Sequence, residues 1–251
     1  IVTRGNVAVA LAGRLSAEEA EACLAPLAAL PEGAPLAAGD PLPTPPGPRH
    51  AFHRADGPQS QLRFSFHAPG EASTNYPALR LLVDILDGGP TGRVARELVD
   101  SGLCYSGRAE LAPFPDGSLV TIEVTVAHSK VTKAVEAVRS LCEGIGVEIA
   151  EAELERAALR RGHDARRLKD DPRAVAEWAS RRLLLGLPAG LAAMQAEEDA
   201  VGVAEVQALA AQVLQPARLS VASLAPEGRP RKAIRRALDA WSLKASLGRP
   251  A

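Results

Sequence analysis

The sequence has few cysteines, few aromatic residues and no long apolar run. Its three cysteines, Cys23, Cys104 and Cys142, lie far apart and form no CxxC pair. This argues against a zinc knuckle or a disulfide framework, and each cysteine is interpreted as a small buried residue. No apolar run reaches the roughly 18 residues that a transmembrane helix requires, so no membrane span is expected. The formal net charge of −1 favours neither nucleic acid nor an anionic membrane as a partner.

Aromatic residues make up only 3% of the chain, so any core must be built mainly from leucine, valine and alanine. The shares of apolar residues (47%) and charged residues (24%) are ordinary for a soluble globular protein. The 251 residues suit one large domain or two modest ones. Because the sequence begins with Ile1 and not with methionine, we expect a processed, trimmed or partial chain. The sequence leaves the compartment open, with the periplasm and the cytoplasm as the alternatives.

A strand and a helix are predicted ahead of a proline-rich segment. Residues 6–13 (NVAVALAG) are a short apolar run, which predicts a buried strand. Ser16 and Glu19 have the spacing of a capping box, so a helix is expected to begin after Ser16. Residues 31–49 are rich in proline and glycine, and they predict a stiff, extended linker.

Beyond the linker, the apolar pattern predicts both strands and helices. Residues 60–68, 118–126 and 219–224 have the alternation or the β-branched character of strands. Helical spacing of apolar residues follows Pro77 and recurs over 129–142, 149–168, 171–185, 203–214 and 231–243. Strands and helices cluster in separate parts of the chain. This predicts an α+β fold in which a mostly antiparallel sheet packs against several helices.

The two ends of the chain resemble each other weakly. The run VAVALAG and its helix, and the run LSVASLAP and its helix, are both strand–loop–helix units. One interpretation makes residues 1–30 the end of a preceding domain, 31–50 a linker and 51–251 a complete second domain of the same fold. The other interpretation is that any two such units look alike.

Sequence motifs give no catalytic set. His50 and His53 are three residues apart but have no third ligand nearby, and no HxxEH, HExxH or EF-hand pattern occurs. No GxSxG motif is present, and Cys104 has no histidine close in sequence. Residues 156–173 carry many arginines, but acidic residues are mixed among them and favour solvated ion pairs over nucleic acid. No catalytic residue and no metal ligand are assigned.

One stretch resembles a known family. Residues 85–106 read ILDGGPTGRVARELVDSGLCYS and are similar to a signature in the second domain of pitrilysin/insulinase metallopeptidases. Four further parts of the chain fit the family more loosely: the segment 7–33, the strand and helix of 64–86, the helices within 147–157 and 171–184, and the end of the chain from 201 to 226. The resemblance therefore covers nearly the whole chain.

The resemblance implies a role without catalysis by this chain alone. The zinc-binding HxxEH helix of the family lies in another domain, so no cofactor is expected here and zinc is expected only in a missing domain or partner subunit. The chain would form a chamber wall and hold substrate peptide. The expected partners are an HxxEH-bearing domain or subunit, a peptide and a second copy in a dimer, but not nucleic acid. The alternatives are a purely structural or assembly subunit, or a fragment of an active zinc peptidase.

The resemblance also suggests substrate-binding residues. Some non-catalytic halves of the family contact peptide carbonyls through a tyrosine and an arginine in this stretch. Tyr105 matches the tyrosine, but the place of the arginine is taken by Leu98, or by Val99 when a one-residue deletion is allowed. Arg96 and Arg93 are the nearest candidates, since a guanidinium can donate to carbonyls or to a peptide carboxylate. The competing interpretation makes Tyr105 an edge residue of the sheet and leaves both arginines solvated.

Overall fold

The computed structural model describes residues 2–35 and 47–247, which separate into two units. One unit comprises Ile1–Asp40 and Leu159–Ala200, and the other comprises Pro41–Ala158 and Val201–Ala251. The boundaries expected from the sequence, 1–30, 31–50 and 51–251, stay a prediction. Most of the predicted linker, residues 36–46, lies outside the described residues, and its last two residues begin a strand.

A five-stranded sheet forms the centre of the larger unit. Its strands are β1 (Arg49–Arg54), β2 (Ser60–Ala68), β3 (Ser106–Ala112), β4 (Ser118–Val126) and β5 (Leu219–Ala225). They lie in the order β1-β5-β2-β4-β3. Only β1 and β5 pair in parallel, and the other neighbours are antiparallel. The predicted strands over 60–68 and 118–126 are confirmed at every residue, whereas β1 was not predicted.

One face of this sheet is covered by helices and the other is polar. The helices of this unit are α2 (Tyr76–Leu86), α3 (Val131–Ile145), the start of α4 (Glu151–Leu168), α7 (Val203–Val213) and α8 (Arg229–Leu247). Alternate residues of β2 and β4, including Phe64, Phe66 and Ile122, are fully buried in the core. Phe66 meets Trp241 of α8 edge to face, with ring centroids 6.2 Å apart. The predicted α+β class with a mostly antiparallel sheet is confirmed.

The smaller unit contains α1 (Ala17–Leu24), the remainder of α4, α5 (Pro172–Leu184) and α6 (Leu191–Asp199). Ser16 and Glu19 form the predicted capping box at the start of α1. The arginine-rich segment makes the expected local ion pairs, such as Arg173 with Glu177 at 2.9 Å. Helix α6 was not predicted, because its sequence has only a weak apolar stripe.

The predicted strand over residues 6–13 is wrong. These residues are described, and no strand is formed there. A β-strand satisfies its backbone N–H and C=O groups through a neighbouring strand, and no described segment pairs with residues 6–13. Val9 and Leu11 remain partly exposed. An apolar run therefore indicates the capacity to form a strand, but a pairing partner decides whether the strand forms.

Candidate peptide-contact site at the β3 edge

A tight glycine-rich turn connects the end of α2 to the segment that carries the candidate residues Arg93, Arg96 and Tyr105. Gly89 adopts a φ of +73°, a conformation that residues with a Cβ rarely adopt. Gly92 leaves no room for a side chain, because a Cβ would lie 2.6 Å from the Gly88 nitrogen and 2.9 Å from the Leu86 carbonyl oxygen. This close backbone packing makes residues 88–92 (GGPTG) a tight turn.

A short helical segment follows the turn and is held by buried apolar side chains. Val94 and Leu98 are fully buried, and residues Ala95–Val99 form a π-helical turn. The Cys104 N–H donates to the Leu98 carbonyl at 2.8 Å, and the Lys130 ammonium donates to the Gly102 carbonyl at 2.9 Å. These bonds fix the path of the chain from the helical turn into β3.

Tyr105 lies at the point where the chain enters the sheet. Its backbone N–H donates to the carbonyl of Thr125 in β4 at 2.8 Å, so its backbone is anchored immediately before β3 begins. Its side chain is 63% exposed, although Cys104 beside it is buried. The anchored backbone and the exposed phenol make Tyr105 available to a partner, since a phenol offers one donor, one acceptor and a large apolar ring.

The guanidinium of Arg93 forms an ion pair with Glu153 within the protein. Its Nε and Nη2 atoms donate to the two carboxylate oxygens of Glu153 at 3.0 and 2.6 Å, and Nη2 also donates to the Glu148 carbonyl at 2.7 Å. The side chain of Arg93 is only 12% exposed. A bidentate pair of this kind fixes the planar guanidinium in one orientation. Arg93 therefore joins the glycine-rich turn to the first turn of α4.

Arg96 shares the same carboxylate but remains accessible. Its Nη2 donates to Glu153 Oε1 at 2.9 Å, and its side chain is 47% exposed. Burial alone would raise the pKa of Glu153. Hydrogen bonds from Arg93 and the Ala150 backbone, together with the charges of Arg93 and Arg96, outweigh burial and lower the pKa of Glu153. The carboxylate is thus held ionised between two cations.

The outer edge of β3 is partly closed by a side chain. Asp87, the residue that caps the end of α2, accepts a hydrogen bond from the Ala109 N–H at 2.7 Å. Ala109 is in the middle of β3, a strand at the end of the sheet. The carboxylate occupies a backbone donor that an added strand would otherwise use. Edge pairing along the middle of β3 is therefore blocked.

The structure brings two of the three predicted site residues together. Arg93 and Arg96 meet on Glu153, whereas none of the contacts described above joins Tyr105 to either arginine. Sequence reasoning missed Glu153 and Asp87. Glu153 is at the third position of α4, where an acidic residue can cap the helix, and it accepts from the Ala150 N–H at 3.1 Å. That position was the available signal for Glu153, and we find no such signal for Asp87.

The remaining candidates for chemistry do not assemble into a site. His50 and His53 are on β1, where residues three apart point to opposite faces, so they cannot bind one metal ion together. Among residues 2–35 and 47–247, no group of three or more His, Cys, Asp or Glu side chains could hold a metal. The residues within these two ranges therefore do not fit zinc. No helix within the same ranges is long and apolar enough to cross a bilayer.

The cysteines have environments of two kinds. Cys104 and Cys142 are buried, and burial raises the pKa of both thiols. A thiol with a raised pKa is a poor nucleophile at neutral pH. Cys23 is exposed, so the expectation of a buried residue is wrong at this position. Its helix, α1, buries none of its residues.

A comparison with family models decides the affiliation of this fold. Residues 1–160 match the model described as the peptidase M16 inactive domain. The chain belongs to this family. The resemblance to pitrilysin/insulinase metallopeptidases that residues 85–106 suggested is confirmed. A comparison with curated proteins found no match.

Solved structures share the fold at low sequence identity. The chain is similar to a protease from Helicobacter pylori, with 19% identity, a TM-score of 0.73, and coverage of 86% of this chain and 54% of that one. It is also similar to a peptidase M16 inactive domain from Pseudomonas fluorescens, with 21% identity, a TM-score of 0.71, and coverage of 85% of this chain and 52% of that one. A chain of Complex III2 from Candida albicans has 14% identity, a TM-score of 0.67, and coverage of 90% of this chain and 57% of that one. The chain thus spans about half the length of these structures.

Proposed function

We propose that this chain is the non-catalytic portion of a zinc-metallopeptidase-like protein and that its β3 edge forms part of a wall that holds peptide. Hydrolysis would be carried out by an HxxEH-bearing domain or partner subunit, within an assembly that is a dimer. The observation that carries the proposal is the exposed phenol of Tyr105 on an anchored backbone. The family membership supports it, since the matching model describes an inactive domain.

In this proposal, the three predicted residues have unequal roles. Tyr105 and the accessible part of Arg96 donate hydrogen bonds to peptide carbonyls or to a peptide carboxylate. Glu153 holds Arg96 in place and leaves its other guanidinium donors available to a ligand. Arg93 acts as a positioning residue, because its guanidinium is buried against Glu153 and Glu148.

A purely structural role is the second candidate. It is favoured by the ion pairs that both arginines form with Glu153 within the chain, and a chain of Complex III2 from Candida albicans shares the fold. In that case, Tyr105 and Arg96 would contribute to assembly contacts or to none. The two candidates differ in whether Tyr105 and Arg96 affect peptide affinity.

The test is peptide hydrolysis by the native assembly that contains this chain and an HxxEH-bearing domain or subunit. Tyr105→Phe and Arg96→Ala should each raise KM for a fluorogenic peptide library by about 2- to 10-fold, the equivalent of one hydrogen bond. The value of kcat should change little, because a contact made equally in the ground state and the transition state alters KM alone.

Arg156→Ala is the matched control, since Arg156 is an exposed arginine on α4 and its loss should leave KM unchanged. If KM is the same in both site variants and in the control, the structural role is correct. If the native assembly lacks an HxxEH chain or hydrolyses no peptide, the proposal fails as a whole.

A further inference from the structure

The other end of the sheet is an open edge beside a groove. Strand β1 ends the sheet opposite β3 and has no other neighbour than β5 among the described strands. The groove has a volume of about 280 Å³ and lies between β1 and α8. Its lining includes His50 and Phe52 from β1 and, from α8, Arg231, Arg235, Leu238 and Asp239.

The backbone of β1 presents free hydrogen-bonding groups along this edge. The Gly47 N–H donates to the carbonyl of Ala217, in the turn before β5, at 3.1 Å. The Ala55 N–H donates to the carbonyl of Ala225, at the end of β5, also at 3.1 Å. Backbone groups alternate in direction along a strand. The N–H and C=O groups of His50 and Phe52 therefore point away from β5, toward the outer edge. No side chain in the described part of the chain caps them as Asp87 caps Ala109.

The groove is preorganised by contacts within the protein. His50 Nε2 is 2.8 Å from Ser223 Oγ, and the Arg231 guanidinium is stacked 5.0 Å from the centre of the Phe52 ring. Arg231 also pairs with Glu227 at 3.3 Å. Arg235 is exposed and has no ion-pair partner within residues 2–35 and 47–247. At least one unpaired cation thus lies beside free backbone donors.

The surroundings of the groove are basic, in contrast to the chain as a whole with its net charge of −1. The sequence of β1 is RHAFHR, and α8 begins RPRKAIRR. Acidic residues are fewer on these two elements and beside them. The exposed basic residues are Arg49, Arg54, Arg231, Lys232, Arg235 and Arg236, and the acidic ones are Asp56, Glu227 and Asp239.

We propose that an extended, acidic segment of a partner protein binds along β1 as a sixth strand and places carboxylate side chains in the groove against Arg231 and Arg235. Strand addition supplies affinity through backbone hydrogen bonds, and the pockets beside the strand supply specificity. Side chains alternate between the two faces along a strand, so alternate acidic residues of the added strand would all lie on the face where Arg231 and Arg235 line the groove.

The edge geometry favours a peptide over nucleic acid. An exposed strand offers donors and acceptors at the regular spacing of a peptide backbone, which an added strand matches along its length. Single-stranded nucleic acid binds on exposed aromatic rings, but the ring of Phe52 is covered by Arg231. The site is at the opposite end of the sheet from Tyr105, so its occupation does not depend on the function proposed for the β3 edge.

The test uses the full chain and a fluorescein-labelled peptide, SEVEVEVS, with SKVKVKVS as the charge-reversed control. The acidic peptide should bind at least about tenfold more tightly than the basic one, by fluorescence anisotropy at low salt. Arg231→Ala combined with Arg235→Ala should weaken binding by about tenfold or more. Lys232→Ala combined with Arg236→Ala, which removes the same charge from exposed positions of α8 outside the groove, should weaken it less than threefold.

Two peptides that carry N-methyl groups on alternate amides test the strand addition itself. Only one set of amides faces β1, so one methylation pattern should abolish binding and the other should retain it. Equal effects of the two patterns would overturn the proposal, as would equal losses in the two double variants. A poly-dT oligonucleotide that binds more tightly than SEVEVEVS would overturn it in favour of nucleic acid.

Discussion

The two edge strands of the sheet are protected in different ways. At β3, Asp87 occupies the central backbone donor, and the helical turn 93–99 with its buried Val94 and Leu98 leads into the strand. At β1, the backbone is open and the neighbouring side chains are basic. Both solutions limit uncontrolled pairing of strand edges, since a capped donor and a row of positive charges each discourage it. Only the second leaves the backbone of the edge free to pair with a strand of a selected partner.

The two edges also differ in the sequence separation of the contacts that each edge strand makes. Strand β3 is capped from a turn about 20 residues earlier, whereas β1 pairs with β5 and packs beside α8, both more than 160 residues later in the sequence. The contact that protects the β3 edge is therefore local in sequence. The β1 edge depends on the ends of the larger unit coming together.

The largest expected effect comes from removing the carboxylate that supports the β3 region. Glu153→Ala leaves the buried Arg93 guanidinium without its partner and removes a cap from α4, and it should lower the free energy of unfolding by about 3–5 kcal/mol. Urea unfolding followed by tryptophan fluorescence measures this, in a Trp178→Phe background so that the buried Trp241 alone reports. Glu155→Ala, at an exposed position of the same helix, should stay within about 0.5 kcal/mol of the parent. Equal stabilities of the two variants would contradict this assignment.

A smaller effect is expected when the capped edge is opened. Asp87→Ala leaves the Ala109 N–H unpaired and should cost about 1–3 kcal/mol. It should also increase concentration-dependent association in sedimentation velocity, because β3 would then resemble an unprotected edge. Asp100→Ala is the control, since Asp100 is exposed and close in sequence. A monomeric Asp87→Ala protein with unchanged stability would show that the bond to Ala109 does not protect the edge.

The smallest expected effect is a pH dependence of stability that comes from His50 on β1. Burial, followed by the charges of Arg231 and Arg235, lowers the pKa of His50. A folded-state pKa below the unfolded value of about 6.5 means that the unfolded chain binds more protons. This contribution to stability is complete above pH 6.5 and is lost as the pH falls toward the folded-state pKa.

NMR titration of the His50 ring checks this prediction. The Arg231→Ala and Arg235→Ala double variant should raise the pKa of His50, and the Lys232→Ala and Arg236→Ala variant should change it less. His67 provides an internal reference, because the pKa of His67 is lowered by burial and by Arg218 and Arg49 instead. A pKa for His50 that is the same in all three proteins would show that the groove arginines do not act on it.

The sequence predicted the central strands β2, β4 and β5 well and missed the edge strand β1. Residues 60–68 and 118–126 alternate because one face packs on helices, so the pattern marks the strands directly. Strand β1 has no such pattern, because RHAFHR is exposed on an edge and is held only by distant β5. Residues 6–13 show the reverse case, in which a suitable pattern has no described partner.

In the candidate site, too, the sequence predicted some features and only the structure revealed the others. The sequence by itself determined the family to which residues 85–106 belong, because a contiguous pattern of residues carries that resemblance. Only the tertiary structure decided that Tyr105 is exposed and that Arg93 and Arg96 share one carboxylate. Glu153 is 60 residues from Arg93 along the chain, and no local rule connects residues that are brought together only when turn and helix pack.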